Sequence, residues 1–300
     1  MPDFTKDVLG GVPVTWDTFL DTAPCESDAS NAGVVIIPIP YDSTTSYKTG
    51  AREGPRAIIE ASKHIEDYDL ELDRDISLVG IHTLPALTPS VDSPEATVEQ
   101  VSKVVGSVAS AGKLPVVLGG EHTVAIGAVQ ALATIYTDLS VLYFDAHADL
   151  RDEYMGSRWG HASVARRIHD FCPIVEVGVR SLSIEERRFI SDSNILVFFR
   201  EPFVEDTSSQ IDATLAGLTD HIYISVDLDV LDPSIMPAVG TPEPGGMDWL
   251  ELTGFIRRVA SQKKLVGFDI SELSPREGPE ASAYVAAKLA YKMIGYATSE

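Results

Sequence analysis

The chain has 300 residues, 44% of them hydrophobic, and its 45 acidic against 23 basic side chains give a formal net charge of −22 at pH 7. That excess opposes binding to nucleic-acid phosphates and to anionic membranes, and it favours small cationic ligands. Cys25 and Cys172 lie in unrelated contexts, which leaves neither a disulfide framework nor a cysteine-based zinc site and suggests a reducing compartment.

Residues 1–33 are acidic and polar, with Val12, Val14, Trp16, Phe19 and Leu20 scattered among them, as in an arm that packs on something else. The N-terminus lacks the basic and apolar regions of a signal peptide, and no apolar run of about 18 residues follows, so a soluble, cytoplasmic protein is expected. From residue 34 onward a single domain is expected, reaching residue 300. Short β-branched runs at 34–38, 77–82, 114–118, 140–144, 174–179, 195–199, 221–226 and 265–269 alternate with helical patterns. Ser93-Pro94 opens one helix, and Ser183 with Glu186 and Asp248 with Glu251 read as capping boxes. The runs are continuously apolar rather than alternating, which predicts parallel strands buried on both faces. Eight strand–helix pairs fit either an open sheet or a closed barrel, and both place function at the carboxyl ends of the strands.

Three of the runs end in metal-ligand chemistry. The first closes on His122, the second on Asp145-Ala-His147-Ala-Asp149, and the third on Asp227-Leu-Asp229. On an extended backbone, residues two apart share a face roughly 7 Å from one another, so each cluster converges on a small volume. Four carboxylates and two imidazoles are too many for one catalytic ion with an open position, and suit two ions about 3.5–4 Å apart. Oxygen-rich donors favour Mn²⁺ over Mg²⁺ and Zn²⁺. Asp232-Pro233 reads as turn chemistry, and Gly119-Gly120 lacks the lysine of a phosphate loop. His64, His82, His169 and His221 show no ligand spacing.

In these clusters the chain resembles the ureohydrolase family of arginases and agmatinases, and within it is most like the agmatinases. The resemblance rests on Gly119-Gly-Glu-His122, Asp145-Ala-His-Ala-Asp149, Ser225-Val-Asp-Leu-Asp-Val-Leu-Asp-Pro233 and Gly240-Thr-Pro-Glu-Pro-Gly-Gly246. It extends to 41–56 and to Asp269-Ile-Ser-Glu-Leu-Ser-Pro275, covering nearly the whole chain after residue 33. It implies a three-layer α/β/α fold with an open, mainly parallel eight-stranded sheet, a site for two manganese ions per subunit, and homotrimers or homohexamers. One ion would be held by His122, Asp145, Asp149 and Asp227, and the other by His147, Asp145, Asp227 and Asp229. Asp149 and His161 would move protons, and Glu272 would receive the guanidinium. The implied reaction is hydrolysis of agmatine to urea and putrescine.

Glu121 stands where many relatives have Asp, a change expected to be harmless; the run after Pro275 also departs from the family pattern. Arginine, aminopropylagmatine and guanidino acids are the competing substrates. A phosphoesterase, a mononuclear zinc deacetylase and a non-catalytic binding protein on the same fold are the competing classes. The loop 150–160 resembles that of agmatinases, with Arg151 and Arg158 as the side chains able to meet a carboxylate instead.

Overall fold

The computed structural model describes residues 17–22, 30–200 and 207–299. Val12, Val14, Trp16 and Cys25 lie outside them. Among the described residues there are ten strands: β1 Val34–Ile39, β2 Tyr68–Asp69, β3 Arg74–Asp75, β4 Ile81–Thr83, β5 Leu114–Gly119, β6 Leu139–Phe144, β7 Ile174–Val179, β8 Leu196–Phe199, β9 His221–Asp227 and β10 Lys264–Ser271. All but β2 and β3, which form a small antiparallel hairpin, join one parallel sheet in the order β4-β1-β5-β10-β9-β6-β7-β8.

Successive residues along each strand face opposite sides, and both sides are apolar. Ile36, Val116, Leu142, Ile224 and Phe268 pack on one face beneath helices α1 (Gly54–Ser62), α6 (Thr207–Gly217), α7 (Trp249–Ala260) and α8 (Ala281–Ala297). Ile37, Val117, Val141 and Tyr223 pack on the other, beneath α2 (Pro94–Ser110), α3 (Val124–Ile135), α4 (Val164–His169) and α5 (Ile184–Asp192). The result is the expected three-layer α/β/α sandwich with an open sheet, and the barrel is excluded.

The expected helix starts hold. The Ser93 side chain accepts from Ala96 N, and both capping boxes form, Ser183 with Glu186 and Asp248 with Glu251. The strand expected at 77–82 is mostly absent: Ile76–Val79 forms a 3-10 turn and pairing begins only at Ile81. The Asp75 carboxylate caps that turn by accepting from Ser77 N and Ser77 Oγ, and Gly80 leaves it at φ 73°. Local side-chain bonding outcompetes the ladder there. The described part of the N-terminal arm packs on the domain, with Phe19 fully buried, Phe19 N donating to Thr83 Oγ1 and Leu20 N donating to Ser62 Oγ.

The sheet order creates the site. β5 and β6 follow one another in the chain, yet β10 and β9 lie between them. β5 and β6 lead to α3 and α4 on one face, whereas their sheet neighbours β10 and β9 lead to α8 and α7 on the other, so the connections of adjacent strands diverge and open a crevice of the kind where ligands bind in open α/β sheets.

Candidate metal centre

The four contiguous strands β5, β10, β9 and β6 deliver, in that order, His122, Glu272, Asp227 with Asp229, and Asp145 with His147 and Asp149. Gly120 makes the first placement possible: a Cβ there would lie 2.0 Å from Tyr41 O. That close approach lets Glu121 N donate to Tyr41 O, and Gly120 O accepts from Glu272 N at 2.7 Å. Gly119-Gly120 is thus a packing device.

Two triads of donor atoms form, each with its atoms within 4.8 Å of one another: His122, Asp145 and Asp227, then Asp145, His147 and Asp229. Asp145 belongs to both; Asp227 belongs to the first. The Nδ1 atom of His122 faces Asp145 Oδ2 at 3.2 Å, Asp227 Oδ2 at 3.4 Å and Asp149 Oδ2 at 3.8 Å. Its other nitrogen lies 2.8 Å from Ser225 Oγ and 3.7 Å from Asp269 Oδ1, which fixes the ring's orientation. His147 Nδ1 lies 3.0 Å from Asp229 Oδ2 and 3.5 Å from Asp145 Oδ1. Backbone N–H groups steady the carboxylates: His147 N donates to Asp145, Ala146 N to Asp229 and Asp229 N to Asp227.

The electrostatics fit divalent cations. Burial, reinforced by Asp145, raises the Asp149 carboxyl well above the ordinary range; burial, reinforced by Asp229 and Asp145, does the same to Asp227. Burial would also raise Asp145, but its hydrogen bonds with His122 and His147 outweigh this and hold it low. Four carboxylates crowded into a buried pocket with only two imidazoles need more positive charge than the side chains supply. Hard oxygen donors with imidazole are the set for Mn²⁺ or a similar ion.

Glu272 lies at the edge of this cluster. Its Oε1 accepts the His122 N–H at 2.7 Å, and burial, with Asp227 and Glu121 nearby, pushes its carboxyl well up. Asp149 and Glu272 both adopt left-handed backbone conformations, φ 49° and 70°. Such conformations cost a non-glycine residue roughly 1–3 kcal/mol and gather at functional sites.

Glu121 proves to be a scaffold. It is fully buried and accepts from Ser43 N, Thr44 N, Thr44 Oγ1 and Thr123 Oγ1 at 2.6–2.7 Å. Thr44 in turn accepts from His161 N at 3.0 Å, while His161 Nε2 lies 3.1 Å from Ser46 Oγ. Glu121 therefore positions the loop that holds His161, and burial keeps the His161 imidazole below its ordinary pKa. Asp232 is turn chemistry as expected: its carboxylate accepts from Ser234, Gly245 and Gly246 N–H groups, and the Ser234 side chain together with those N–H bonds holds its pKa down to about 2.

A cavity of about 250 Å³ opens above the centre, with His147, Asp149, Asp227 and Glu272 in its wall and Lys48, Arg151, Tyr154, His161 and Glu186 also lining it. Its cations have partners: Lys48 is bonded to Glu277, and Arg151 lies 4.0 Å from Glu186 and 4.9 Å from the Tyr154 ring centre. Arg158, the other arginine of that loop, pairs with Asp152 at 3.0 Å.

Acids and imidazoles gathered at the carboxyl ends of a parallel sheet, beneath a cavity with anionic walls, define a metal-dependent hydrolase acting on a cationic substrate. The Arginase family model matches residues 32–295, and the chain belongs to that family. It is an agmatinase-like ureohydrolase, a metal-dependent enzyme that hydrolyses a guanidino compound to urea. The chain is 37% identical over 285 residues to the N(1)-aminopropylagmatine ureohydrolase of Synechocystis sp., covering 93% of each chain. It is 38% identical over 271 residues to the agmatinase of Pyrococcus horikoshii, covering 89% of this chain and 93% of the relative. The structure of the agmatine ureohydrolase of Thermoplasma volcanium superposes with a TM-score of 0.84 at 32% identity, covering 97% of each chain.

Proposed function

We propose that this protein hydrolyses agmatine to urea and putrescine, using two Mn²⁺ ions held by His122, Asp145, His147, Asp149, Asp227 and Asp229. The observation that carries the reading is the pair of donor triads sharing Asp145, with the Glu272 carboxylate in the wall of the same cavity. A guanidinium carbon is a poor electrophile because its charge is delocalised. A pair of divalent cations bound there would supply hydroxide at neutral pH and offset the charge of the carboxylates.

The chain's own residues do the rest. Glu272 pairs with the guanidinium and orients its carbon toward the centre, which supplies proximity and charge complementarity together. Asp149, itself one of the six ligands, lies in the cavity wall and relays a proton to the departing amine. His161, at the boundary between this cavity and a neighbouring one, exchanges that proton with solvent. Agmatine is a dication without a carboxylate. Arginine would bring a carboxylate to a cavity whose lining lysine and arginine already have anionic or aromatic partners. An unpaired carboxylate taken from water costs several kcal/mol.

A second reading, N(1)-aminopropylagmatine, is favoured by the name of the Synechocystis relative and by one feature of this chain. A neighbouring cavity of about 720 Å³ shares Thr45, Tyr154 and His161 with the active-site cavity, giving a longer amine tail a path. Residues 1–33 act as an arm on a single catalytic domain, 34–300, that assembles as a homotrimer or homohexamer in the cytoplasm. Among the described residues, no helix is long and apolar enough to cross a membrane.

The test is urea release from agmatine, aminopropylagmatine, arginine and guanidinobutyrate at saturating Mn²⁺, with metal content measured alongside. A higher kcat/KM for agmatine than for the other three is expected. A higher value for arginine overturns the substrate assignment, and full activity at one ion per subunit overturns the two-ion centre.

A further inference from the structure

Tyr143 sits on β6, two residues before Asp145, and is fully buried among the apolar side chains beneath α3 and α4. An ordinary core tyrosine sends its hydroxyl to a backbone carbonyl or to solvent. This one ends inside the cluster of acids and imidazoles. Its hydroxyl donates to Asp149 Oδ2 at 2.9 Å and lies 2.8 Å from His122 Nδ1. Its ring stacks on the His122 imidazole, with centroids 4.6 Å apart and planes 11° from parallel.

The two residues it touches come from different strands and reach the centre by different routes. His122 follows β5, and its far nitrogen is fixed by Ser225. Asp149 lies beyond β6 on a left-handed backbone, φ 49°, anchored at its carbonyl by the Arg166 N–H. Among the described residues, Tyr143 is the one donor within hydrogen-bond distance of the Asp149 carboxylate. The other ligand carboxylates each accept at least one backbone N–H, from their own turns or a neighbouring strand end, and Asp229 also accepts from Thr241 Oγ1 at 3.2 Å.

We propose that Tyr143 is a positioning residue of the centre, tying Asp149 to His122 so that both face the same cation position. With a cation on His122 Nδ1, the hydroxyl would keep Asp149 as its acceptor and hold Oδ2, the carboxylate oxygen that faces that nitrogen at 3.8 Å. The second position, built on His147 and Asp229, does not touch Tyr143 and does not depend on it. The inference rests on the two-cation reading of the cluster.

Tyr143→Phe keeps the stacked ring and removes one oxygen. Chelator-treated wild type and variant are titrated with Mn²⁺ by calorimetry, and bound metal is counted after gel filtration. The wild type should take two ions. In Tyr143→Phe one ion should bind about 10- to 100-fold more weakly, the range for loss of a partner that orients a ligand, and the other as in wild type. In a cycle with Asp149→Asn, adding Tyr143→Phe should weaken metal binding little further.

If Tyr143→Phe does not fold, the near-ultraviolet tyrosine spectrum of Asp149→Asn gives an independent readout: losing a carboxylate acceptor shifts the band of the tyrosine that donated to it. Two ions bound with wild-type affinities in Tyr143→Phe, equal weakening of both, or an unshifted tyrosine band in Asp149→Asn would each overturn the inference. A wild type that binds fewer than two ions instead overturns the two-cation reading on which it rests.

Discussion

The backbone N–H of His122 donates to Glu272 Oε1 at 2.7 Å, so the group read as the guanidinium receptor is bonded to the main chain of a residue proposed as a metal ligand. That bond holds one carboxylate oxygen and leaves the other free for substrate. Glu272 is partly buried beside Asp227 and Glu121, where its charge is unfavourable until a cation arrives. Glu272→Gln keeps the shape and removes the charge. It should lower kcat/KM for the guanidino substrate about 10- to 100-fold, on the scale of a lost charged hydrogen bond. Metal stoichiometry should be unchanged. Steady-state kinetics with metal analysis on one preparation checks both, and loss of metal would instead make Glu272 a part of the metal site.

His161 is held by Thr44 and Ser46 and is buried enough that its imidazole lies below its ordinary pKa. It is therefore neutral, and able to accept a proton, throughout the physiological range. Replacing it with Asn should slow kcat by about 10²-fold, in line with the loss of a general acid–base group. Free imidazole in the buffer should restore part of the rate, and the wild-type acid limb should fall below pH 6.5. A variant rate indifferent to buffer concentration would remove the shuttle assignment.

Glu176 stands in β7 opposite Tyr143, fully buried, and neither carboxylate oxygen has a hydrogen-bond partner among the described residues. Burial, with Asp145, Asp149 and Glu186 nearby, pushes its pKa well above the ordinary value. The native state then binds a proton that the unfolded state releases above about pH 4.5, so this group's contribution to stability declines as pH rises from there through the folded pKa. Glu176→Gln should be more stable than wild type at pH 8, with the difference shrinking toward pH 4. Thermal melting of both proteins across that range measures it; a difference that grows toward acid would contradict the sign.

The net charge of −22 makes the folded chain repel itself. Added salt should screen that repulsion and raise the melting temperature, most steeply where the Debye length falls from about 10 Å at 0.1 M toward about 3 Å at 1 M. A sodium chloride series at constant Mn²⁺ checks this, and a flat or falling melting temperature would show that the acidity is locally compensated.

Several features follow from the sequence alone. Continuous apolar runs require burial on both faces, hence a parallel sheet between helices, and the cluster Asp145-Ala-His147-Ala-Asp149 follows directly on one such run; the extended period of two expected to align the three side chains stops with β6 at Phe144, and the turn beyond it, left-handed at Asp149, brings them together instead. Helix starts were equally local, since Ser183 with Glu186 and Asp248 with Glu251 need only three residues between them. The same period places Tyr143 on the face of Asp145, a signal present in the sequence that reads as ordinary strand core.

Tertiary structure decided the rest, because it depends on which strands lie side by side. β10 inserts between β5 and β9, which carries Glu272 from the far end of the chain to His122 and Asp227. The loop of residues 41–45 folds over Glu121 and makes a side chain that looked interchangeable the anchor for Thr44 and, through it, His161. The left-handed backbone at Asp149 and Glu272 has no sequence signature, since aspartate and glutamate do not require it. The periodicity of side chains is fixed within a few residues, whereas the order of strands in the sheet is settled only by the packing of the whole core.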